Sequence, residues 1–288
     1  MRFSNISNDF NSYQQLITFY EENKDEFFSN IQLDINDFFC ANVSAVLGAI
    51  LDKLILNANN IHFRSIDDKI KEILKKNDFL SFYGYNSEVD IHNTTIKYKK
   101  ILPTDGKYFV NYIEKELIDS NLSILPRMSK GIKEGIIEAI YEIFVNAQIH
   151  SQTKHIYSCG QFFPGSNELF FTLVDTGISI KNCVNKRFKS NLTSVQAIKW
   201  ALVDRNTTKE HITGGIGLAL LKDFIKNNKG LMQIISNDGY YSLDDGREVY
   251  KLFSGQFPGT VVTIKFKTDD KRHYSLKNEK DINFENIF

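Results

Sequence analysis

The chain has 288 residues, and its 35 acidic and 35 basic side chains cancel at neutral pH. This balance gives no evidence for a basic surface, so nucleic acid is not implied as a partner. Apolar residues make up 42% of the chain and include 23 phenylalanines, enough to fill the core of one large or two modest domains.

Three sequence features indicate a cytoplasmic protein. Residues 1–6 are polar and lack the apolar core of a secretory signal. The longest apolar run, 43–51, is about half of the ~20 residues that a membrane helix requires, so no membrane association is expected. Cys40, Cys159 and Cys183 are widely spaced and form no Cys-x-x-Cys pair, which predicts reduced thiols and neither disulfides nor a zinc site.

Hydrophobic periodicity predicts alternating strands and helices after a first helix within residues 1–30. The predicted strands are 31–35, 61–66, 95–102, 170–174, 231–236 and 261–266. The predicted helices are 43–56 with Asn42 as N-cap, 67–79, 108–118, 128–151, 194–203 and 218–227. This order predicts an α/β fold with a small α/β domain at 1–90, a larger α/β domain at 91–270 and a polar tail at 271–288 that frays.

The long predicted helix at 128–151 is mostly apolar, with polar residues at every fourth position. Glu138, Glu142, Asn146 and His150 therefore lie along one face. One interpretation is a solvent-exposed stripe on a half-buried helix. The other is the wall of a polar pocket, because unpaired buried carboxylates and amides are costly. In a pocket, Glu142 suits the activation of water and the amide oxygen of Asn146 suits metal coordination.

Two shorter segments place polar groups at strand ends. Asp175 ends an apolar strand, and Gly177 two residues later leaves the backbone free to turn. An ordinary strand-to-turn junction has the same composition. Gly259 and Thr260 enter a β-rich strand and by themselves indicate only a turn.

A glycine cluster opens the predicted helix at 218–227. Gly214, Gly215 and Gly217 fall within four residues, and backbone amides at such a helix start bind anions with help from the helix dipole. The cluster is not a Walker A loop, since no Gly-Lys-Ser/Thr follows, and it lacks the third glycine of the dinucleotide fingerprint. A flexible connection is the alternative interpretation.

Taken in order, the four segments resemble the ATP-binding motifs of the histidine-kinase-like ATPase (GHKL) superfamily over about residues 95–268. The N-box is similar to Glu142-x-x-x-Asn146-Ala147-x-x-His150-Ser151, the first glycine box to Asp175-x-Gly177, the second to Gly214-Gly215-x-Gly217-Leu218, and the closing strand to Gly259-Thr260. The resemblance implies an α/β sandwich, a mixed sheet covered by helices, with ATP bound between the helices and a mobile lid.

The resemblance also implies roles for individual residues. Asn146 would hold Mg²⁺ and Glu142 would be the general base. Asp175 would accept the adenine amino group, with Thr260 supporting the edge of the base. His150 would lie near adenine or ribose, or would be a structural capping histidine.

Further implied roles concern the glycines and the lid. Gly177, Gly214, Gly215 and Gly217 would let the backbone approach the nucleotide, and Leu218 would begin the phosphate-facing helix. The lid would span residues 181–213. Its basic side chains that could meet phosphates are Arg187, Arg205 and Lys209.

The sequence departs from the family pattern at Ser179, which replaces the second glycine of Asp-x-Gly-x-Gly, so a tighter or less mobile turn is expected. Ahead of the motifs there is no phosphoacceptor-histidine helix, and sensor autokinase activity is not expected. Little chain follows the Gly-Thr strand, so the second domain of gyrase-like, mismatch-repair and chaperone members is not expected either.

The first ninety residues are faintly similar to STAS domains in their order of elements, as expected for a docking or regulatory domain. STAS domains are the partners of anti-sigma-factor serine kinases, the GHKL proteins closest to this chain in size. Ser44 would occupy the turn that carries their phosphoserine, although the usual Asp-Ser-Ser-Gly is missing. The alternative is a helix-start serine that is not phosphorylated.

Three functions follow as hypotheses. The first is a regulatory ATPase in which ATP·Mg²⁺ switches the interaction with one or more protein partners, which the sequence does not identify. The second is a protein serine/threonine kinase of the anti-sigma type. The third is a scaffold that senses nucleotide without catalysis. A homodimer is left open in each case.

Overall fold

The computed structural model describes residues 1–119, 125–150, 152–203, 206 and 217–275, and only the backbone of His150 and Gly217. The described part of the chain is a mixed α/β fold. Its strands are β1 (Arg2–Ile6), β2 (Asn30–Phe39), β3 (Asn60–Ile66), β4 (Thr95–Ile101), β5 (Arg127–Met128), β6 (Ile156–Phe163), β7 (Glu168–Asp175), β8 (Leu231–Asp244), β9 (Arg247–Lys267) and β10 (His273–Tyr274). Its α-helices are α1 (Phe10–Asn23), α2 (Ser44–Ile55), α3 (Asp68–Lys76), α4 (Gly106–Tyr112), α5 (Lys130–His150), α6 (Ile180–Phe188), α7 (Ser194–Ala201) and α8 (Gly217–Asn228).

The elements from β1 to α3, which we call the N-terminal unit, contain a parallel sheet of order β1-β2-β3. Helices α1 and α2 make the two crossovers that parallel strands require. The prediction of helix from the first residues was wrong for β1, where Phe3 and Ile6 are fully buried. Helix α1 starts only after Asp9, whose carboxylate caps it by accepting the Ser12 amide at 2.9 Å.

A central antiparallel sheet of order β4-β6-β7-β9-β8 forms the middle of the molecule. Its register places Ile101, Ile156, Asp175, Thr260 and Ser236 in one row across the five strands. Asp175 and Thr260, which the sequence analysis assigned to separate motifs, are therefore cross-strand neighbours at one end of the sheet.

The two faces of the central sheet are covered by different parts of the chain. Successive residues of a strand point to opposite faces, so Leu173 joins the core under α4, α5 and α8, while Val174 joins the core shared with the N-terminal unit. Helix α2 packs on β6 and β7, and α1 packs on β9. The division at residue 90 stays a prediction, but the two parts share one hydrophobic core.

A polar network crosses this shared core. The Asn42 side-chain amide donates to Thr172 Oγ1 at 2.9 Å, Thr172 and Thr263 hydroxyls lie 2.9 Å apart, and the Tyr13 hydroxyl lies 3.0 Å from Thr263 Oγ1. Asn42 was wrongly predicted as the N-cap of α2, since Val43 occupies that position without a side-chain cap. Its amide instead satisfies buried polar groups of the sheet.

Ser44, the candidate phosphoacceptor, is fully buried in the same interface. Its hydroxyl donates to the Ala41 carbonyl at 2.6 Å and accepts from the Asn77 side-chain amide at 3.1 Å. A kinase cannot reach this hydroxyl in the folded protein, and a phosphate there would separate the two parts of the core. The structure therefore favours the interpretation of Ser44 as an unmodified helix-start serine.

The beginning of the predicted polar tail belongs to the fold, because β10 pairs in parallel with β5. Asp270 anchors it by accepting from the Arg272 guanidinium at 2.7 Å and from the Tyr274 hydroxyl at 2.5 Å. Residues 276–288 lie outside the described part of the chain. Across the helices that are described, none has both the length and the apolar character needed to cross a bilayer.

Candidate functional site

A cavity of about 110 Å³ opens at the end of the central sheet that carries Asp175 and Thr260. Five of the predicted site residues line it. They are Glu142, Asn146, Asp175, Leu218 and Thr260. The other lining residues are Ile143, Ala147, Ile178, Ile180, Cys183, Val184, Trp200, Ala201, Asn206, Ile234 and Val262.

Several predicted residues fall outside what the structure describes. Gly214, Gly215, Arg205 and Lys209 belong to undescribed segments, as do the side chain of His150 and most of the chain from 204 to 216. Gly177 is described but does not line the cavity. Its amide donates to Asp175 Oδ1 at 2.9 Å and so orients that carboxylate.

Helix α5 supplies one wall of the cavity. Its apolar face, including Ile140 and Phe144, is buried in the core on the sheet. Glu142 and Asn146 are partly buried and face the cavity, about one helical turn (~6 Å of rise) apart. Glu138, a turn earlier, is exposed to solvent. Of the polar residues along this face, Glu142 and Asn146 therefore line the cavity, and Glu138 faces solvent.

Asp175 stands out among the cavity residues, because it carries a carboxyl group and is only 8% exposed. Burial raises its pKa from 3.8 to about 7, and the hydrogen bond from the Gly177 amide opposes this effect only in part. The surrounding wall is apolar at Ile178, Ile180 and Ile234. A buried acceptor in apolar surroundings is suited to a polar hydrogen-bond donor of a ligand.

Gly259 brings β9 into contact with the backbone of Asp175. A Cβ atom added at Gly259 would lie 2.0 Å from the Asp175 carbonyl oxygen, and the φ of +154° is also unfavourable for other residues. Thr260 follows, and its hydroxyl lies 3.0 Å from that of Ser236. Ser236 Oγ in turn accepts the Ile180 amide at 2.9 Å. The Gly-Thr pair therefore fixes both the strand and the start of α6.

Replacing Gly259 with alanine is expected to destabilise the protein by ~2–4 kcal/mol, since it adds a clash with backbone to an unfavourable φ. Urea unfolding measures the effect. Gly246→Ala is the matched control, because Gly246 also has a positive φ (+81°) but no neighbour within 4 Å of an added Cβ. If both variants lowered the free energy of unfolding equally, the contact between Gly259 and Asp175 would be unimportant for stability.

Ser179, the departure from the family pattern, is the N-cap of α6. Its hydroxyl accepts the Asn182 amide at 3.3 Å, and its φ of −66° requires no glycine. The turn after Asp175 therefore runs directly into a helix. Together with α7, this helix forms the described part of the predicted lid, and Ser194 at the start of α7 is bonded to Asn237 (3.2 Å) and Asp238.

The sequence analysis missed the residues that α6 and α7 contribute. Trp200, the one tryptophan of the chain, and Cys183 line the cavity, and the Asn206 side-chain amide donates to the Trp200 carbonyl at 2.8 Å. Burial raises the pKa of Cys183 to about 11. The one tryptophan of the chain was the available signal, since large aromatic side chains dominate cores and interfaces.

The raised pKa of Asp175 predicts a specific pH dependence of stability. The Asp175 carboxyl binds its proton more tightly in the folded protein than in the unfolded chain. Its contribution to stability is therefore fully present below pH 4 and is lost as pH rises to about 7. Between pH 4 and pH 7 the free energy of unfolding of wild type should fall by ~2–4 kcal/mol relative to that of Asp175→Asn. The slope should approach ~1.4 kcal/mol per pH unit. Urea unfolding of both proteins from pH 4 to 8 tests this. Parallel profiles would contradict it.

Neither the models of known protein families nor the sequences of curated proteins gave a significant match to this chain. The case for a function therefore depends on the motifs and on the geometry of the cavity.

Proposed function

We propose that this protein is an ATP-binding regulatory protein of the GHKL type, which binds and hydrolyses ATP·Mg²⁺ and thereby switches its interaction with a protein partner. One observation carries the proposal. Residues from all four sequence motifs line a single cavity although they are up to 118 positions apart, from Glu142 to Thr260, and Leu218 is the one from the second glycine box. An unrelated set of local patterns would have no reason to converge in this way.

The part of the cavity around Asp175 suits adenine. Asp175 offers a buried acceptor to an amino group, and a donor there would recover the hydrogen bonding that the carboxyl loses on burial. The apolar side chains of Ile178, Val262 and Trp200 provide surfaces for a planar ring. Thr260 lies across the strand pair from Asp175 and can support the edge of the base.

The α5 wall suits the phosphate end. Mg²⁺ is usually held by one or two protein oxygens together with substrate phosphates and water. Asn146, which lines the cavity, can supply such an oxygen. Bound Mg²⁺ would supply charge neutralisation at the phosphates, and Glu142 would take a proton from the attacking water.

Incubation with γ-³²P-labelled ATP and Mg²⁺ separates the functions that this cavity could serve. Release of labelled phosphate is the expected result and supports a regulatory ATPase. Label transferred to serine or threonine of a protein would instead show a protein kinase. Binding without release or transfer would show a nucleotide-sensing scaffold, and absence of binding would refute the proposal.

A further inference from the structure

Helix α1 of the N-terminal unit contacts the segment of β9 that leads to Gly259 and Thr260. The Ser254 amide donates to Gln14 Oε1 at 3.0 Å, and Gln14 Nε2 donates to the Ser254 hydroxyl at 2.8 Å. Two residues along, the Gln256 amide donates to Glu21 Oε1 at 3.0 Å. Two side chains, two helical turns apart on α1, thus bind alternate backbone amides of β9.

The residue between these amides lies directly against the helix. A Cβ atom at Gly255 would be 2.8 Å from Glu21 Cγ and 3.0 Å from Ile17 Cγ2, and Ile17 is itself buried in the core. The backbone of β9 therefore approaches α1 as closely as the atoms allow. This segment cannot shift toward the N-terminal unit without moving α1.

The surroundings of Glu21 favour its ionised carboxylate, which accepts hydrogen bonds from Lys24 and from the Gln256 amide. Burial alone would raise its pKa, but hydrogen bonds from Lys24, at 2.6 Å, and from the Gln256 amide lower it below its ordinary value. Its neighbour Glu22 is exposed, and the Glu22 side chain makes no hydrogen bond to the described residues. The two glutamates therefore differ in environment although they are adjacent on one helix.

The C-terminal end of α1 also lines a second cavity together with residues adjacent in sequence to Asp175 and Thr260. Tyr20, Glu21 and Lys24 border a cavity of about 240 Å³ that Gly177 and Gly259 also line. Gly177 lies in the turn that follows Asp175 at the end of β7, and Gly259 lies within β9 against the Asp175 backbone. Only three residues separate Gln256 from Thr260, and Phe257 among them is buried.

We propose that α1 is a positioning element of the nucleotide site, in which Gln14 and Glu21 hold residues 254–256 and thereby set Gly259 and Thr260 against Asp175. This inference rests on the proposed function. With α1 in this role, the N-terminal unit can regulate the site, because a partner that displaces α1 would lower the affinity for nucleotide. By linkage, bound nucleotide would oppose that displacement by the same factor.

The test compares Glu21→Ala with Glu21→Gln and Glu22→Ala in calorimetric titrations with Mg²⁺ and a non-hydrolysable ATP analogue. Glu21→Ala should weaken binding by ~3- to 10-fold, the range of coupling through a contact outside the ligand shell. Glu21→Gln keeps an acceptor oxygen and should stay within about twofold of wild type. Glu22→Ala should bind as wild type does. Wild-type affinity of Glu21→Ala would overturn the proposal.

Hydrogen exchange of the nucleotide-free proteins gives a second, independent measurement. Exchange at the amides of Gln256, Phe257, Gly259 and Thr260 should be faster in Glu21→Ala than in wild type, and it should be restored in Glu21→Gln. Unchanged exchange there would overturn the positioning role even if the analogue binds. Failure of wild type to bind the analogue would refute the proposed function instead, and exchange alone would then decide whether α1 holds this segment.

Discussion

Replacing Glu142 with alanine should lower the rate of ATP hydrolysis by ~10²- to 10⁴-fold, the usual contribution of a positioned general base. Affinity for a non-hydrolysable analogue should change little, because Glu142 is assigned to the attacking water and lies one turn of α5 from the proposed metal ligand Asn146. Phosphate release under saturating ATP measures the first effect, and calorimetry measures the second.

Glu138→Ala is the matched control, since Glu138 lies one turn earlier on the same helix and is exposed to solvent. It should retain wild-type turnover. Turnover that is unaffected by Glu142→Ala would remove this residue from the mechanism. Equal losses in both variants would show that the substitutions act on α5 as a whole, which contradicts a specific role for Glu142.

Asp175→Asn should weaken binding of the ATP analogue by ~10- to 100-fold, because the substitution replaces a buried acceptor oxygen with an amide donor that faces the ligand. The fold should be retained, since asparagine has the same shape and a neutral amide is easier to bury than a carboxylate. Calorimetric titration measures the affinity, and urea unfolding measures the stability.

Asp269→Asn controls for the chemistry of the substitution, because Asp269 is exposed and lies outside the cavity. It should bind the analogue as wild type does. Asp175→Asn with unchanged affinity would contradict the assignment of Asp175 to adenine, and the pocket would then have to hold its ligand by other groups.

The residues that the sequence identified most directly are those governed by local pattern. The four-residue spacing of Glu142 and Asn146 defines a face of any helix, and a carboxylate followed by glycine typically ends a strand. Strand β6 was not predicted, because its first six residues are buried and show no alternation. Helix α6 was not predicted either, because Ser179 was interpreted as part of a turn and not as an N-cap.

The position of the N-terminal unit depends on contacts that no local pattern contains. Tyr13 and Thr263 are hydrogen-bonded although 250 residues separate them, and Asn42 reaches Thr172 across the same interface. Sequence spacing alone does not indicate which polar residues on a sheet meet which helix. The support that α1 gives to residues 254–256 could therefore be found only from the assembled fold.

Titration of wild-type protein with a non-hydrolysable ATP analogue in the presence of Mg²⁺ tests the central claim most directly, with the matching GTP analogue as the comparison. We expect saturable binding of one ATP analogue per chain and weaker binding of the GTP analogue, since guanine presents a carbonyl oxygen where adenine presents its amino group to Asp175. Absence of binding, or equal affinity for both nucleotides, would contradict the assignment of this cavity as an adenine-nucleotide site.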